Sequence, residues 1–144
     1  MNNMKKVILR SVLIVGTFLI SYFIYAQVEV TEKLCTSKLK PPYISDGQQY
    51  KAFLNGDEVA EFHSTFYGGS TYRLVANSGQ EEGNLKFSIY DSQRNLLFSN
   101  VEYNNSSYWD FKFTSTVDCI IEAELNTKKL SSGFALLLIG FKQN

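Results

Sequence analysis

The stretch Tyr108–Leu125, YWDFKFTSTVDCIIEAEL, alternates between apolar and polar residues in both of its halves. The apolar residues at alternate positions are Trp109, Phe111, Phe113, Cys119, Ile121, Ala123 and Leu125. Successive side chains of a strand point to opposite faces. The stretch therefore predicts two strands, each with one buried and one exposed face. We expect the connector Thr114-Ser115-Thr116 to join them as a hairpin in the inner wall of a β-sandwich.

The same alternation recurs along the chain from Gln48, with turn signals roughly every ten residues, a spacing typical of a sandwich or barrel. The further predicted strands are Gln48–Leu54, Glu58–Phe66, Thr71–Asn77, Leu85–Tyr90, Leu96–Phe98 and Phe134–Phe141. Gly68-Gly69 predicts a tight hairpin turn, because glycine accepts the positive φ that such turns need. The sequence thus predicts an all-β fold of about eight strands.

Phe134–Phe141 (FALLLIGF) is apolar at every position. A strand without alternation is covered on both faces. We therefore expect it at the centre of a sheet or beneath the N-terminal lead-in, residues 27–47. Within that lead-in, Val28–Val30 predicts a short strand. No segment after residue 26 shows a sustained helical period.

The N-terminus has the pattern of a secretory signal peptide. Three basic residues precede residues 11–26, which carry no charge: Lys5, Lys6 and Arg10. The small residue Ala26 before Gln27 predicts cleavage between them, which leaves the lead-in and a sandwich domain over residues 48–144. The alternative is an uncleaved membrane anchor, although the uncharged run is shorter than the roughly 20 residues of a membrane span. Either way we expect export, to the periplasm or cell surface of a Gram-negative bacterium.

Charge and composition exclude two classes of protein. Loss of the signal peptide leaves 11 Lys and Arg against 14 Asp and Glu. A weakly acidic chain without a basic cluster gives no electrostatic footprint for nucleic acid. A content of 11 Phe excludes a disordered chain. We therefore predict a folded, exported protein that touches a membrane only through its signal segment, if that segment is retained.

Two cysteines in an oxidising compartment leave two interpretations open. In one, Cys35 and Cys119 form a disulfide that ties the lead-in to the sandwich. In the other, Cys119 is a small buried apolar residue and Cys35 a surface thiol.

Residues suited to catalysis are few. The only histidine, His63, falls on the polar face of its strand, which favours a solvated residue over a base. Glu122 and Glu124 share one strand face, and a carboxylate pair can hydrolyse glycosides. A charged, solvated outer face is the simpler interpretation. No serine elbow and no zinc spacing is present, so we predict that the protein is not an enzyme.

Tyrosines are the candidate binding residues. Tyr67, Tyr90, Tyr103 and Tyr108 fall at turn tips or on predicted outer faces. Exposed aromatic rings anchor protein partners or stack on sugars. The structural alternative is that they cover a sheet edge or pair across strands.

Four segments resemble the bacterial pre-peptidase C-terminal domain, over about residues 48–141: Gly56–Phe62 (GDEVAEF), Gly69–Leu74 (GSTYRL), Leu85–Asp91 (LKFSIYD) and Ser132–Leu136 (SGFAL). That family is a small jelly-roll-like β-sandwich appended to secreted peptidases and other exported enzymes. The resemblance implies a jelly-roll-like antiparallel sandwich without catalytic activity of its own. Some members bind calcium through clustered acidic residues, whereas Asp46, Asp57 and Glu58 are dispersed here. We predict no cofactor.

The sequence therefore predicts a non-catalytic exported β-sandwich that acts by binding. An accessory or interaction protein of the cell envelope, bound to another envelope protein, is the first hypothesis. A carbohydrate-binding module that uses the exposed tyrosines is the second.

Overall fold

The computed structural model describes Met4, Ile8, residues 25–79 and residues 81–143. Residues 25–38 are helical, and we call this helix α1. The strands of the described chain are β1 (Ile44–Asn55), β2 (Val59–Phe66), β3 (Ser70–Asn77), β4 (Leu85–Asp91), β5 (Leu96–Ser99), β6 (Tyr108–Lys112), β7 (Val117–Leu125) and β8 (Ser132–Gln143), with a 3-10 helix at Asn100–Tyr103 between β5 and β6.

The predicted signal peptide lies outside the described residues, except for Met4, Ile8, Tyr25 and Ala26. The predicted cleavage position, between Ala26 and Gln27, falls within α1. In the part of the chain that the structure describes, no helix is both long enough and apolar enough to cross a membrane.

The strands form two four-stranded antiparallel sheets that face each other. Sheet A has the order β1-β8-β3-β6, and sheet B has the order β2-β7-β4-β5. Among the described strands, only β4 and β5 are consecutive in the chain and paired in one sheet, and each of the other connections between them crosses from one sheet to the other. This is the strand order of a jelly roll, an eight-stranded double sheet. The predicted fold class is confirmed.

The core lies between the sheets and is built from the predicted faces. Fully buried side chains include Phe66, Leu74, Phe87, Ile121 and Leu137. The rings of Trp109, Phe111 and Phe113 pack against this core from β6 and the residue that follows it. Alternation therefore predicted correctly which face of each strand is buried.

β8 is covered on both faces, as predicted. It pairs with β1 on one side and β3 on the other. Leu137 and Ile139 lie in the main core, whereas Leu136 and Leu138 point to the outer face of sheet A. There they pack with Val75 in a second buried cluster. The cover of this cluster is α1.

The lead-in is helical up to residue 38 and its last residues, 44–47, begin β1, so the predicted strand at Val28–Val30 is wrong. The expectation that no segment after residue 26 is helical is also wrong. Thr31 and Cys35, one helical turn apart, are both buried. The helix needs only this narrow stripe, because the outer leucines of β8 supply most of the apolar surface that it covers. A stripe so narrow is not recognisable as a helical period in the sequence.

Both predicted hairpins are wrong. β6 pairs with β3 in sheet A, whereas β7 pairs with β2 and β4 in sheet B. The connector Thr114-Ser115-Thr116 therefore crosses between the sheets. Gly68-Gly69 crosses as well, because β2 and β3 lie in different sheets. Alternation fixes the buried face of a strand but not its partner, and two buried faces can meet across the core as easily as lie side by side.

The two crossing connectors touch each other. The amide of Gly69 donates to the carbonyl of Phe113 at 2.9 Å, and the amide of Gly68 donates to Thr116 Oγ1 at 3.2 Å. A Cβ on Gly68 would lie 2.9 Å from Ser115 Cα and from the Thr114 carbonyl oxygen. Only glycine fits where the connectors meet.

The disulfide between Cys35 and Cys119 is not formed, and both thiols are free and buried. Cys35 lies under α1 in the outer cluster, and Cys119 lies in the main core. Sheet A separates the two clusters, which explains why the thiols do not meet. The alternative interpretation is right for Cys119 and wrong for Cys35, which has no exposed surface.

We call the end of the sandwich that contains Asn100 and Asn126 the closed end, because its loops pack on buried amides. Asn100 Oδ1 accepts from the Phe87 amide at 2.8 Å, and its Nδ2 donates to the carbonyls of Leu85 and Ser106, both at 3.1 Å. Asn126 Nδ2 donates to the Gly83 carbonyl at 3.0 Å. These bonds hold the loops of the closed end together.

Candidate binding cleft

An open cleft of about 790 Å³ lies at the opposite end of the sandwich, which we call the open end. Strands β1, β2, β3, β7 and β8 all contribute to its walls. The side chains that matter for its chemistry are Asp46, Tyr50, His63, Tyr67, Tyr72 and Asp118. Its size lies within the range of sites for small molecules or for a side chain of a partner.

Asp46 reaches the cleft through an irregularity in β1. The register with β8 shifts between Ser45 and Gln49, and Gly47 has a φ of +81°. Asp46 Oδ1 accepts from the Gln48 amide at 2.9 Å. Burial raises the pKa of Asp46, and the bonds from backbone amides oppose that rise. The bulged backbone therefore holds a partly buried carboxylate at the cleft.

Asp118 stands on β7 directly opposite Thr65 of β2. Thr65 Oγ1 donates to Asp118 Oδ1 at 2.6 Å, which fixes the carboxylate at the cleft. Neither Asp118 nor Asp46 forms an ion pair with any residue that the structure describes. No Lys or Arg is found among the described residues that line the cleft.

The negative charge at the cleft also affects the pKa of the neighbouring thiol, that of Cys119. Cys119 lines the cleft and is 2% exposed. Burial raises the pKa of Cys119 to about 11, and the charges of Asp118 and Asp91 add to that rise. At neutral pH the thiol is protonated, which makes it unfit as a nucleophile.

His63 is at the rim of the cleft and mostly exposed, as predicted for a solvated strand residue. Its Nε2 lies 3.0 Å from Glu61 Oε1 on the same strand face. The arrangement pairs the imidazole with a carboxylate, and it brings no nucleophile to the ring.

Glu122 and Glu124 lie on the outer face of sheet B, where a charged, solvated surface is predicted. Arg94 Nη1 binds Glu122 Oε1 at 2.7 Å, and Lys86 Nζ binds Glu124 Oε1 at 2.9 Å. Arg94 also pairs with Glu61. Both glutamates are therefore engaged in ion pairs on this face. Across the residues that the structure describes, no three His, Cys, Asp or Glu side chains come together as a metal site.

The four candidate tyrosines do not come together. Tyr67 is 63% exposed and lines the cleft. Tyr90 is on β4, opposite Ile120 of β7, on the outer face of sheet B. Tyr103 stacks on Phe98 at 5.5 Å between ring centroids, at the β5 edge of the sandwich.

Tyr108 lies on the outer face of sheet A and is not among the residues that line the cleft. Its ring is 4.8 Å from the Arg73 guanidinium and 5.6 Å from Lys38 Nζ. Tyr103 and Tyr108 thus have contacts within the fold. Tyr67 is the candidate that the structure places in a cleft.

Sequence reasoning missed most of the cleft. Asp46 has the sequence context of a turn, Tyr50 and Tyr72 that of core residues, and Asp118 that of a solvated residue. No local signal marks them as a set. Only the crossing connectors and the bulge in β1 bring them to one end of the sandwich.

No protein-family model matches the sequence, and no curated protein matches it. The resemblance to the pre-peptidase C-terminal domain stays a prediction. Among solved structures, the fold is similar to that of PliG from Aeromonas hydrophila, a periplasmic lysozyme inhibitor of g-type lysozyme. The TM-score is 0.51 and the sequence identity 11%, over 72% of this chain and 90% of PliG. The likeness is one of fold.

Proposed function

We propose that this chain is a non-catalytic exported protein that acts by binding another protein of the cell envelope. The observation that carries the proposal is the cleft at the open end, which holds carboxylates and an exposed tyrosine without an ion-pair partner for either carboxylate in the described chain. A few polar groups that converge on a concave surface are typical of a binding site.

The geometry favours binding over catalysis. Acid–base or nucleophilic chemistry needs a base within hydrogen-bond reach of the group that it activates. His63 reaches Glu61 instead, and the thiol of Cys119 stays protonated at neutral pH. Glu122 is held by Arg94.

Two observations favour a protein as the partner. Tyr67, Tyr90, Tyr103 and Tyr108 are scattered over different surfaces, whereas a sugar chain is bound by a row of rings on one face. PliG, whose fold is similar, is an inhibitor of a g-type lysozyme and thus acts on another protein. The basic and apolar N-terminus supports export. A lysozyme, or another enzyme that acts on the envelope, is the sharpest form of the proposal.

The second candidate is a carbohydrate-binding module. Tyr50, Tyr67 and Tyr72 line the cleft together with the hydroxyl groups of Ser64 and Thr65. Rings that stack and hydroxyl groups that donate and accept hydrogen bonds suit a sugar. In this second hypothesis the binding site is the same cleft, and the ligand is a carbohydrate.

One assay separates the two candidates. The full chain is added to g-type lysozyme acting on peptidoglycan, at several concentrations of enzyme and of peptidoglycan. If the chain binds the enzyme, the amount needed for half inhibition rises with the enzyme concentration. If it binds the glycan and masks it, that amount rises with the peptidoglycan concentration and does not change with the enzyme concentration.

An envelope extract tests the proposal beyond lysozymes. We expect the immobilised full chain to retain one stoichiometric protein, identified by mass spectrometry, and the variant Asp46→Asn/Asp118→Asn to retain much less of it. Asp57→Asn, at the exposed turn between β1 and β2, is the matched control. Retention of the chain on insoluble glycan, with no protein recovered, would contradict the proposal and support the carbohydrate reading.

A further inference from the structure

We propose that the cleft binds the cationic end of a lysine or arginine side chain that the partner protein inserts. The inference rests on the proposed function and names the chemistry of its contact. Three observations support it: the charge of the cleft, its aromatic rings, and a second site in this chain where tyrosines and an aspartate bind an arginine side chain.

The carboxylates of the cleft favour a positively charged ligand. Asp46 and Asp118 both line the cleft, and no Lys or Arg is found among its described lining residues. Three other carboxylates of sheet B, those of Glu61, Glu122 and Glu124, each have a cation beside them. A partly buried carboxylate without a counter-charge is stabilised by a cation that arrives from outside.

The tyrosine rings of the cleft also favour a cation. Tyr67 is largely exposed and Tyr50 is half-buried in the same wall, whereas the ring of Tyr72 is buried against Phe66 and Phe113. A cation over the face of a tyrosine ring is attracted by the negative face of the ring, and the attraction grows as the cation loses water. The cleft therefore offers both parts of a cation site, carboxylates and aromatic faces.

The chain already binds one of its own arginine side chains through tyrosines and an aspartate. The Arg73 guanidinium lies 4.4 Å from the centre of the Tyr43 ring and 4.8 Å from that of Tyr108. Its Nε and Nη2 donate to the Asp110 carboxylate at 2.7 and 2.9 Å. Its Nη1 donates to the Lys38 carbonyl at 3.1 Å. Two tyrosines, one aspartate and one backbone carbonyl thus hold a guanidinium in this chain. The cleft presents the same residue types, with His63 at its rim and no Lys or Arg among its described lining residues.

The occupant follows from charge complementarity and from access. The cleft is open to solvent and has room for an extended side chain together with its backbone. A basic side chain on a protein is held in place by the rest of the interface. A free amine or an amino sugar lacks that support and serves as the comparison in the test.

The test is an NMR titration of the full chain with the blocked peptide Gly-Gly-Arg-Gly-Gly. The matched ligand replaces arginine with citrulline, which has nearly the same shape and no charge. We expect the arginine peptide to shift the amide signals of residues 46–48, 63–67 and 117–119, and the citrulline peptide to bind about tenfold more weakly. Asp46→Asn/Asp118→Asn should lose about tenfold in affinity for the arginine peptide, and Asp57→Asn should lose none.

Equal affinity for the two peptides would overturn the inference, as would full affinity in the double variant when its urea midpoint matches the wild type. If glucosamine bound more tightly than the arginine peptide, the claim that the cation belongs to a side chain of a partner protein would be contradicted. The proposed function has a separate readout, because enzyme-limited inhibition can persist when the peptide does not bind. Its failure and the failure of this inference are thus distinguishable.

Discussion

At the closed end of the sandwich, the amide of Asn100 is fully buried and satisfies three backbone groups of neighbouring loops. At the open end, Asp46 and Asp118 face a cleft and have no cation beside them in the described chain. Both ends are rich in polar residues. At the closed end Asn100 and Asn126 hold loops together, whereas at the open end Asp46 and Asp118 are available to a ligand. The difference predicts which substitutions cost stability and which cost binding.

Asn100→Ala should have the largest effect on stability. It leaves the Phe87 amide and two carbonyls buried without their partner, and each unsatisfied buried group costs about 1–3 kcal/mol. We expect a loss of at least about 3 kcal/mol in the free energy of unfolding, measured in urea. The matched control at the open end is Asn95→Ala, which removes an exposed bond to Asp91 and should cost under about 1 kcal/mol. Equal losses in the two variants would break the comparison.

Gly68→Ala should have the next largest effect. Its methyl group has no room beside Ser115, because the backbone of the other crossing connector lies 2.9 Å away. Moving a packed backbone costs about 1–3 kcal/mol. Thermal unfolding should show a lowered midpoint, and a midpoint equal to that of the wild type would mean that the connectors are not packed as described.

Two carboxylates, one at each end, should respond to pH with opposite sign. Lys38, at 2.7 Å, holds the pKa of Glu82 at the closed end below its usual value of 4.5. Ionised Glu82 therefore adds stability above pH 4.5, and this is lost as the pH falls through its lowered pKa. Burial raises the pKa of Asp46 above 3.8, so its ionised form costs stability at neutral pH, and the cost disappears as the pH falls toward 3.8.

Urea unfolding between pH 3 and pH 7 measures both effects. At pH 7, Glu82→Gln should lose less than about 1 kcal/mol, because the ion pair is exposed. Asp46→Asn should change stability by less than about 0.5 kcal/mol and in the favourable direction. A loss of stability in Asp46→Asn would mean that a cation of the chain already pairs with Asp46.

Tyr67→Ser should have the smallest effect on stability, under about 0.5 kcal/mol, because the ring is exposed. The same variant should bind the partner more weakly. The matched control is Tyr90→Ser, which lies on the outer face of sheet B and should leave binding unchanged. Loss of binding in the control alone would place the binding surface away from the cleft.

The strands and their buried faces are predictable from the sequence, because alternation is a local property. Leu85, Phe87 and Ile89 show the pattern in seven residues of β4, and all three are buried. The both-faced strand β8 is predictable for the same reason. The partner of each strand is not. The sequence of residues 114–116 is compatible with a hairpin turn and equally with a connection that crosses between the sheets.

The cleft is not predictable, because it arises from pairing and register. Asp118 has the sequence of a solvated strand residue until β2 places Thr65 opposite it. Asp46 has the sequence of a turn residue until the bulge in β1 carries it to the cleft. The helix α1 is missed because Thr31 and Cys35 are too few to show a period. Of the tyrosines selected from the sequence, Tyr67 alone lines the cleft.

The most direct test of the account is site-specific photo-crosslinking in bacteria that produce the full chain. A photoreactive amino acid is placed at position 67 of the open end or at the exposed position 127 of the closed end. The account predicts that position 67 captures one envelope protein and that position 127 captures none. Capture of the same protein from position 127, or of glycan alone from position 67, would contradict it.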